Sequence, residues 1–225
     1  MPVTPHSVGD VMTRRVVAVK RGAPFKEIVR TMDQWKVSAM PVLEGEDRVV
    51  GVVSEADLLP KEEFRDSDPS LVVQRRRLAD VAKAGAVTAQ ELMSTPAVTV
   101  GPDATLAQAA RIMAVRRVKR LPVVDGGGRL QGVVSRADLL KVYLRPDEEI
   151  EEEVRRTVVS DLFPALSHGI HVHVEEGVVT LDGHVRDTSL IPLAVRLARA
   201  VEGVVDVEPR LGGEPSGGHG SGTLR

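Results

Sequence analysis

The 225-residue sequence predicts an α+β chain. Two repeats, each a small sheet with two helices, pack as a pseudo-symmetric pair, and a small α-β-β-α-β domain follows. Three observations carry this prediction. The stretch Gly51-Val52-Val53-Ser54-Glu55-Ala56-Asp57-Leu58-Leu59 recurs 81 residues later as Gly132-Val133-Val134-Ser135-Arg136-Ala137-Asp138-Leu139-Leu140, and only Glu55 against Arg136 differs. Residues 10–59 align with 91–140 without a gap, and 19 of those 50 positions are identical. Beyond about residue 147 the repeat stops, and an apolar stripe at four-residue spacing gives way to strict alternation, a change from helical to strand periodicity.

Each repeat opens with a short helical turn ending at Met12 or Met93. A short strand follows, Val16–Val19 or Ala97–Val100, and then a polar corner. In the second copy an amphipathic helix starts near Asp103-Ala104-Thr105 and aligns Leu106, Ala109, Ala110 and Met113 on one face. Pro41 and Pro122 close the helical stretch and open the strands Pro41-Val42-Leu43 and Pro122-Val123-Val124. Turns at Glu44-Gly45-Glu46-Asp47 and Asp125-Gly126-Gly127-Gly128 lead to hairpin partners over Val49–Val53 and Leu130–Val134. These deliver a Ser and an Asp three apart to a strand-to-helix corner. Two readings fit that corner. Ser caps the helix and Asp complements its dipole, or the hydroxyl and carboxylate hydrogen-bond a ligand beside exposed first-turn N–H groups. A unit with three strands and two helices cannot cover both sheet faces alone, whereas two such units packed together can.

Composition narrows the function. Apolar residues make up 42% of the chain and aromatic residues 2%, so the core is built from Val, Leu, Ala and Met. A net charge of −2 gives nucleic-acid binding no support. With no cysteine, disulfides, thiolate catalysis and thiolate zinc sites are excluded. Residues 1–10 show no basic stretch leading into an apolar run, and no window approaches the roughly 20 apolar residues of a spanning helix. The expectation is a soluble cytoplasmic protein. The serines have no His base at any repeated spacing, and there is no Walker-type or dinucleotide Gly loop, so an enzyme is not expected.

The order strand, helix, hydrophobic-Pro-Val, Gly turn, then Gly-Val-Val-Ser-x-x-Asp resembles the CBS domain. The resemblance spans roughly residues 8 to 145, as the tandem pair called a Bateman module, with repeats at 8–60 and 89–145 joined by a linker at 61–88. It implies a regulatory module, commonly dimeric, that binds AMP, ADP, ATP or S-adenosylmethionine between the repeats and requires no cofactor. It also implies two sites. One combines Ser54 and Asp57 with Val98, Val118, Lys119 and Arg120. The other combines Ser135 and Asp138 with Val17, Val37, Ser38 and Ala39. In each, Asp accepts from the ribose hydroxyls, an acceptor-only role suited to a carboxylate. Ser bonds ribose or phosphate, and the Val side chains with Pro41 or Pro122 form an apolar slot for adenine. The sites are unequal, because Lys119 and Arg120 can receive phosphates where the other has Ser38 and Ala39. For Arg116-Arg117-Val118-Lys119-Arg120 a solvated basic helix end is the plain alternative.

In the linker, Leu71 to Ala84 reads as a helix with Leu71, Leu78, Val81 and Ala82 on one side. A surface connection explains it more simply than a regulatory insert. Trp35 fits either a covered helix face or a dimer contact.

From 147 onward, Ile150, Val154, Val158 and Leu162 give one apolar stripe. Ile170–Val174 and Val178–Val185 read as a hairpin turned at Glu175-Glu176-Gly177. Leu190–Val201 reads as a helix with Pro192 in its first turn, and Val204–Val207 as a third strand. The runs Gly177-Val178-Val179-Thr180-Leu181-Asp182-Gly183-His184-Val185 and Val201-Glu202-Gly203-Val204-Val205-Asp206-Val207 resemble the BON domain, over 147–211. That resemblance implies membrane or phospholipid association, but the absence of a basic patch here speaks against the membrane, and association with a protein partner or with itself is the expectation for this chain. Strand alternation places His171 and His173 on the solvated face, with no metal. Residues 212–225, rich in Gly and Ser, are expected to be a disordered tail. The alternatives to a ligand sensor are a structural adaptor whose Ser-x-x-Asp corners only cap helices, and a membrane-associated protein.

Overall fold

A computed structural model describes residues 6–65, 78–164 and 169–213, which fall into two compact units divided near Leu139 and Leu140. The first unit holds the repeats. Its first half runs α1 (Val8–Val11), β1 (Val19–Lys20), α2 (Phe25–Trp35), β2 (Ala39–Glu44), β3 (Arg48–Ser54) and α3 (Glu55–Glu63). α4 (Leu78–Gly85) belongs to the linker. The second half runs α5 (Ala89–Leu92), α6 (Leu106–Arg116), β4 (Arg120–Val124), β5 (Leu130–Ser135) and α7 (Arg136–Leu140).

In the first sheet β2 lies between β1, parallel to it, and β3, antiparallel. The second sheet pairs β4 with β5, and Val100 alone supplies the parallel bridge, to Val123. The edge strands are therefore shorter than the runs Val16–Val19 and Ala97–Val100 suggested. Both hairpins carry a bulge at the same place, between Val42 and Leu43 and between Val123 and Val124.

The sequence repeats are not the packing units. The opening segment of each repeat docks on the sheet of the other. Val8 N donates to Ala104 O at 2.8 Å, and Thr13 and Val133 exchange backbone bonds at 2.9 and 3.0 Å. In the mirror arrangement Ala89 N donates to Ala23 O at 2.9 Å, and Ser94 and Val52 exchange bonds at 2.9 and 3.1 Å. The core under the first sheet accordingly joins Val19, Ile28, Met32, Met40, Val42 and Val53 to Ala86, Ala89 and Leu92. Gly51 and Gly132 make this exchange possible. A Cβ at Gly51 would sit 2.5 Å from Met93 Sδ, and one at Gly132 would sit 2.6 Å from Met12 Sδ. Both opening turns are capped by an acid at the matching position. Asp10 accepts from Ser7 N and Oγ, and Glu91 from Val87 N and Thr88 N. Hydrogen bonds from Ser7 hold the Asp10 carboxyl below its ordinary pKa, and backbone donors do the same for Glu91.

α6 begins at Thr105, whose hydroxyl accepts from Gln108 N while the Gln108 side chain accepts from Thr105 N. Leu106, Ala109 and Met113 are buried, while Ala110 is exposed at the edge of the stripe. In the linker, α4 forms where a helix was expected, but its apolar side is not covered: Leu78 is 68% exposed and Ala82 is exposed. Residues 66–77, with Leu71 and the run Arg75-Arg76-Arg77, lie outside the described residues. Trp35 is 59% exposed at the end of α2, which leaves the covered-face reading unsupported.

The second unit is built on α8 (Asp147–Val154), a widened turn at Arg155–Val159, α9 (Ser160–Leu162), β6 (Ile170–Glu175), β7 (Val178–Val185), α10 (Ile191–Arg199) and β8 (Asp206–Gly213). β7 is central, antiparallel to β6 and parallel to β8. The four-residue stripe holds at Ile150, Val154 and Val158. The widened turn, in which Ser160 N reaches Arg155 O, then shifts the face, so Val159 and Phe163 are buried and Leu162 only partly. β8 starts later than the run Val204–Val207 and extends further, taking in Gly212 and Gly213 beside His184 and Val185. Residues 214–225 lie outside the described residues. Asp147, at the start of α8, holds the hairpin turn: its carboxylate accepts from Glu176 N at 2.8 Å and Gly177 N at 2.9 Å. His171, His173 and His184 are all exposed, and among the described residues no cluster of His, Cys, Asp or Glu could hold a metal. Among them also, no helix is long and apolar enough to cross a membrane.

Candidate functional site

The first corner forms because β3 ends at Ser54 in extended conformation, φ −130° and ψ 165°, and the chain turns at once into α3. Asp57, three residues on, folds its carboxylate back over the helix start. Oδ2 accepts from Ser54 N at 2.7 Å and from Ser54 Oγ at 2.6 Å. The second corner repeats this, with Asp138 Oδ2 accepting from Ser135 N at 2.9 Å and Oγ at 2.7 Å. Both serines are thus capping residues, as one of the two sequence readings held. The capping leaves Asp57 Oδ1 to face elsewhere, and there it receives the ammonium of Lys83 from α4.

The facing wall comes from the segments before Pro41 and Pro122. Each helix before them stops at a residue in the left-handed region, Lys36 at φ 51° and Arg117 at φ 54°. The chain then enters the strand with Ser38-Ala39 or Lys119-Arg120. These residues sit against the corners of their own repeats: Glu55 N donates to Ser38 O and Arg136 N to Lys119 O, each at 3.1 Å. Pro41 and Pro122 are buried within the paired strands, opposite Val52 and Val133.

A cleft of about 350 Å³ opens at the first corner. Ser54 and Asp57 line it from one repeat, and Val98, Val118, Lys119 and Arg120 from the other. Val52, Pro96 and Ala97 extend its apolar wall, and Arg117 adds a third cation. Ser38 and Ala39 also line this cleft, although the resemblance to the CBS domain implied a place in the second site. They sit beside their own corner, where Ala39 pairs with Ser54, and Arg120 reaches them from the other repeat: its Nη2 donates to Ser38 Oγ at 2.9 Å and its Nη1 reaches Ala39 O at 3.5 Å. Ser135, Asp138, Val17, Val37, Pro41 and Pro122 do not line it. Val37 lines a separate shallow groove with Met32, Leu58 and Arg120.

Apolar walls together with three cations, the Asp57 and Glu55 carboxylates and the Ser38, Ser54 and Ser94 hydroxyls suit a flat heterocycle joined to a diol and an anion. Two contributors had no signal in the sequence. Lys83 lies in the linker, which has no counterpart in the repeat. Arg117 was grouped with a solvated helix end, and it gains its place only through the left-handed turn that ends α6.

The CBS domain model matches residues 8–61 and 89–145, and the BON domain model matches residues 146–211. The uncharacterized protein MK0525 of Methanopyrus kandleri is 28% identical over 150 residues, 67% of this chain and 69% of its own length. The chloroplastic CBS domain-containing protein CBSX2 of Arabidopsis thaliana is 28% identical over 159 residues, 65% of this chain and 67% of that protein. A crystal structure of CBSX2 in complex with AMP is similar with a TM-score of 0.55 at 29% identity, covering 62% of this chain and 97% of that one.

Proposed function

Because the chain belongs to the CBS-domain family, as a CBS pair followed by a BON domain, we propose that it is a regulatory protein that binds an adenine nucleotide in the Ser54–Asp57 cleft. The observation that carries this reading is the cleft's composition, drawn from both repeats and combining apolar side chains with three cations and the Asp57 and Glu55 carboxylates. The AMP complex of CBSX2 supports the same ligand class. In this reading adenine lies against Val98 and Val118. The ribose hydroxyls donate to Asp57, and phosphate meets Lys119, Arg120 and Arg117. The Ser135–Asp138 corner, with Val17, Val37, Ser38 and Ala39, is the weaker site, since Arg120 already engages Ser38 and the Ala39 carbonyl. The protein performs no catalysis, and the BON domain serves association with a partner or with a second copy.

Calorimetric titration with AMP, ADP, ATP and S-adenosylmethionine tests the assignment. Binding of at least one nucleotide that survives Asp138→Ala and is lost with Asp57→Ala is the expected result. No heat and no thermal stabilisation with any of the four would leave the corners as helix caps and the protein as an adaptor.

A further inference from the structure

We propose that Lys83 of the inter-repeat helix competes with nucleotide for Asp57, so that filling the cleft loosens the linker. This rests on the nucleotide reading above and adds the regulation of that site. The Asp57 side chain is 10% exposed and that of Lys83 is 19% exposed, and their ion pair joins the cleft to α4. A carboxylate offers about four lone-pair directions. Ser54 N and Ser54 Oγ take two on Oδ2, and Lys83 takes one on Oδ1. A ribose diol needs two acceptor directions, so it meets either the Ser54 hydroxyl or the Lys83 ammonium. The Ser54 hydroxyl belongs to the capping box that starts α3, whereas Lys83 comes from a helix that buries no side chain, so the ammonium is the partner that the diol displaces. While it stays, the free carboxylate that the diol needs is not available.

α4 is suited to release. It buries no side chain fully, and Leu78 stands exposed at its start. Its hold on α3 leans on polar anchors, the Lys83–Asp57 pair and a bond from Lys61 Nζ to Ala84 O at 2.8 Å. Ala86, just beyond it, is buried, and Val87 O accepts from Phe25 N at 2.8 Å. Loosening would therefore stop at the end of α4 and leave the core intact. Coupling between two sites is reciprocal, so a linker that weakens nucleotide binding must itself be weakened by nucleotide.

The test combines AMP calorimetry with hydrogen exchange over residues 78–86 of the full chain, for wild type, Lys83→Met and Asp57→Asn. Lys83→Met is expected to bind AMP at least about fivefold more tightly. In wild type, AMP is expected to speed exchange in 78–86, and Asp57→Asn to speed it without ligand. If AMP binds wild type but Lys83→Met binds it equally or more weakly, or AMP slows exchange in 78–86, the competition is overturned and the nucleotide reading stands. If AMP binds neither wild type nor Lys83→Met while Asp57→Asn still speeds exchange, the nucleotide reading falls and the competition with it.

Discussion

The two strand-to-helix corners share one backbone and differ in chemistry. Ser54 and Ser135 cap their helices, Asp57 and Asp138 fold back over them, and Ala39 and Arg120 pair with those serines in the same register. The helices before them end in the same left-handed turn, at Lys36 and Arg117. Yet one copy supplies Lys119 and Arg120 where the other supplies Ser38 and Ala39. Residues that set backbone direction were kept in both copies, and those that set charge were free to diverge. The divergence is concentrated in Arg120, which reaches across the pair to Ser38 and helps assemble one cleft from both repeats.

The shared backbone can be attacked first. Gly51→Ala would place a methyl 2.5 Å from Met93 Sδ and 3.0 Å from Ser94 O; Gly132→Ala would place one 2.6 Å from Met12 Sδ and 3.0 Å from Thr13 O. Each is expected to cost about 1–3 kcal/mol in urea unfolding, the range for overpacked sites. Similar costs in the two variants support the shared exchange, and a tolerated alanine in either breaks the equivalence. The chemical difference comes next. Arg120→Ala is expected to weaken AMP binding about tenfold or more, as for loss of a charged hydrogen bond, and Ser38→Ala about threefold. Equal effects would mean that Arg120 acts only by bracing Ser38.

The smallest effect concerns the acids that cap the opening turns. The folded pKa values of Asp10 and Glu91 are lowered by hydrogen bonds. Their contribution is therefore present above the ordinary carboxylate pKa of about 4 and is lost as pH falls through the folded value. Glu91→Gln is expected to lower the melting temperature slightly at pH 7, with the gap to wild type closing below pH ~4. A gap that persists in acid would assign the effect to something other than the carboxylate charge.

Local pattern made much of this molecule legible. The gapless repeat identified the pair, and the Ser-x-x-Asp spacing placed cap and carboxylate at one corner because three residues return a side chain to the helix start. Alternation from Ile170 to Val174 gave the buried face of β6 correctly. What escaped depends on distance in space. The exchange of opening segments leaves no mark in either copy, because Met12 and Met93 occupy equivalent positions whichever sheet they cover. Lys83 lies 26 residues from Asp57 in a segment with no repeat partner. The widened turn at Arg155–Val159 moved burial from Leu162 to Phe163, since a single added residue per turn rotates the face without altering composition.

The most direct test of the central claim is to photolabel the protein with 8-azidoadenosine 5′-monophosphate and locate the adduct by mass spectrometry. The account predicts label within residues 96–98 or 117–120, lost in Asp57→Ala and blocked by excess AMP. Label confined to residues near Val17 and Val37, or label that excess AMP does not block, would contradict it.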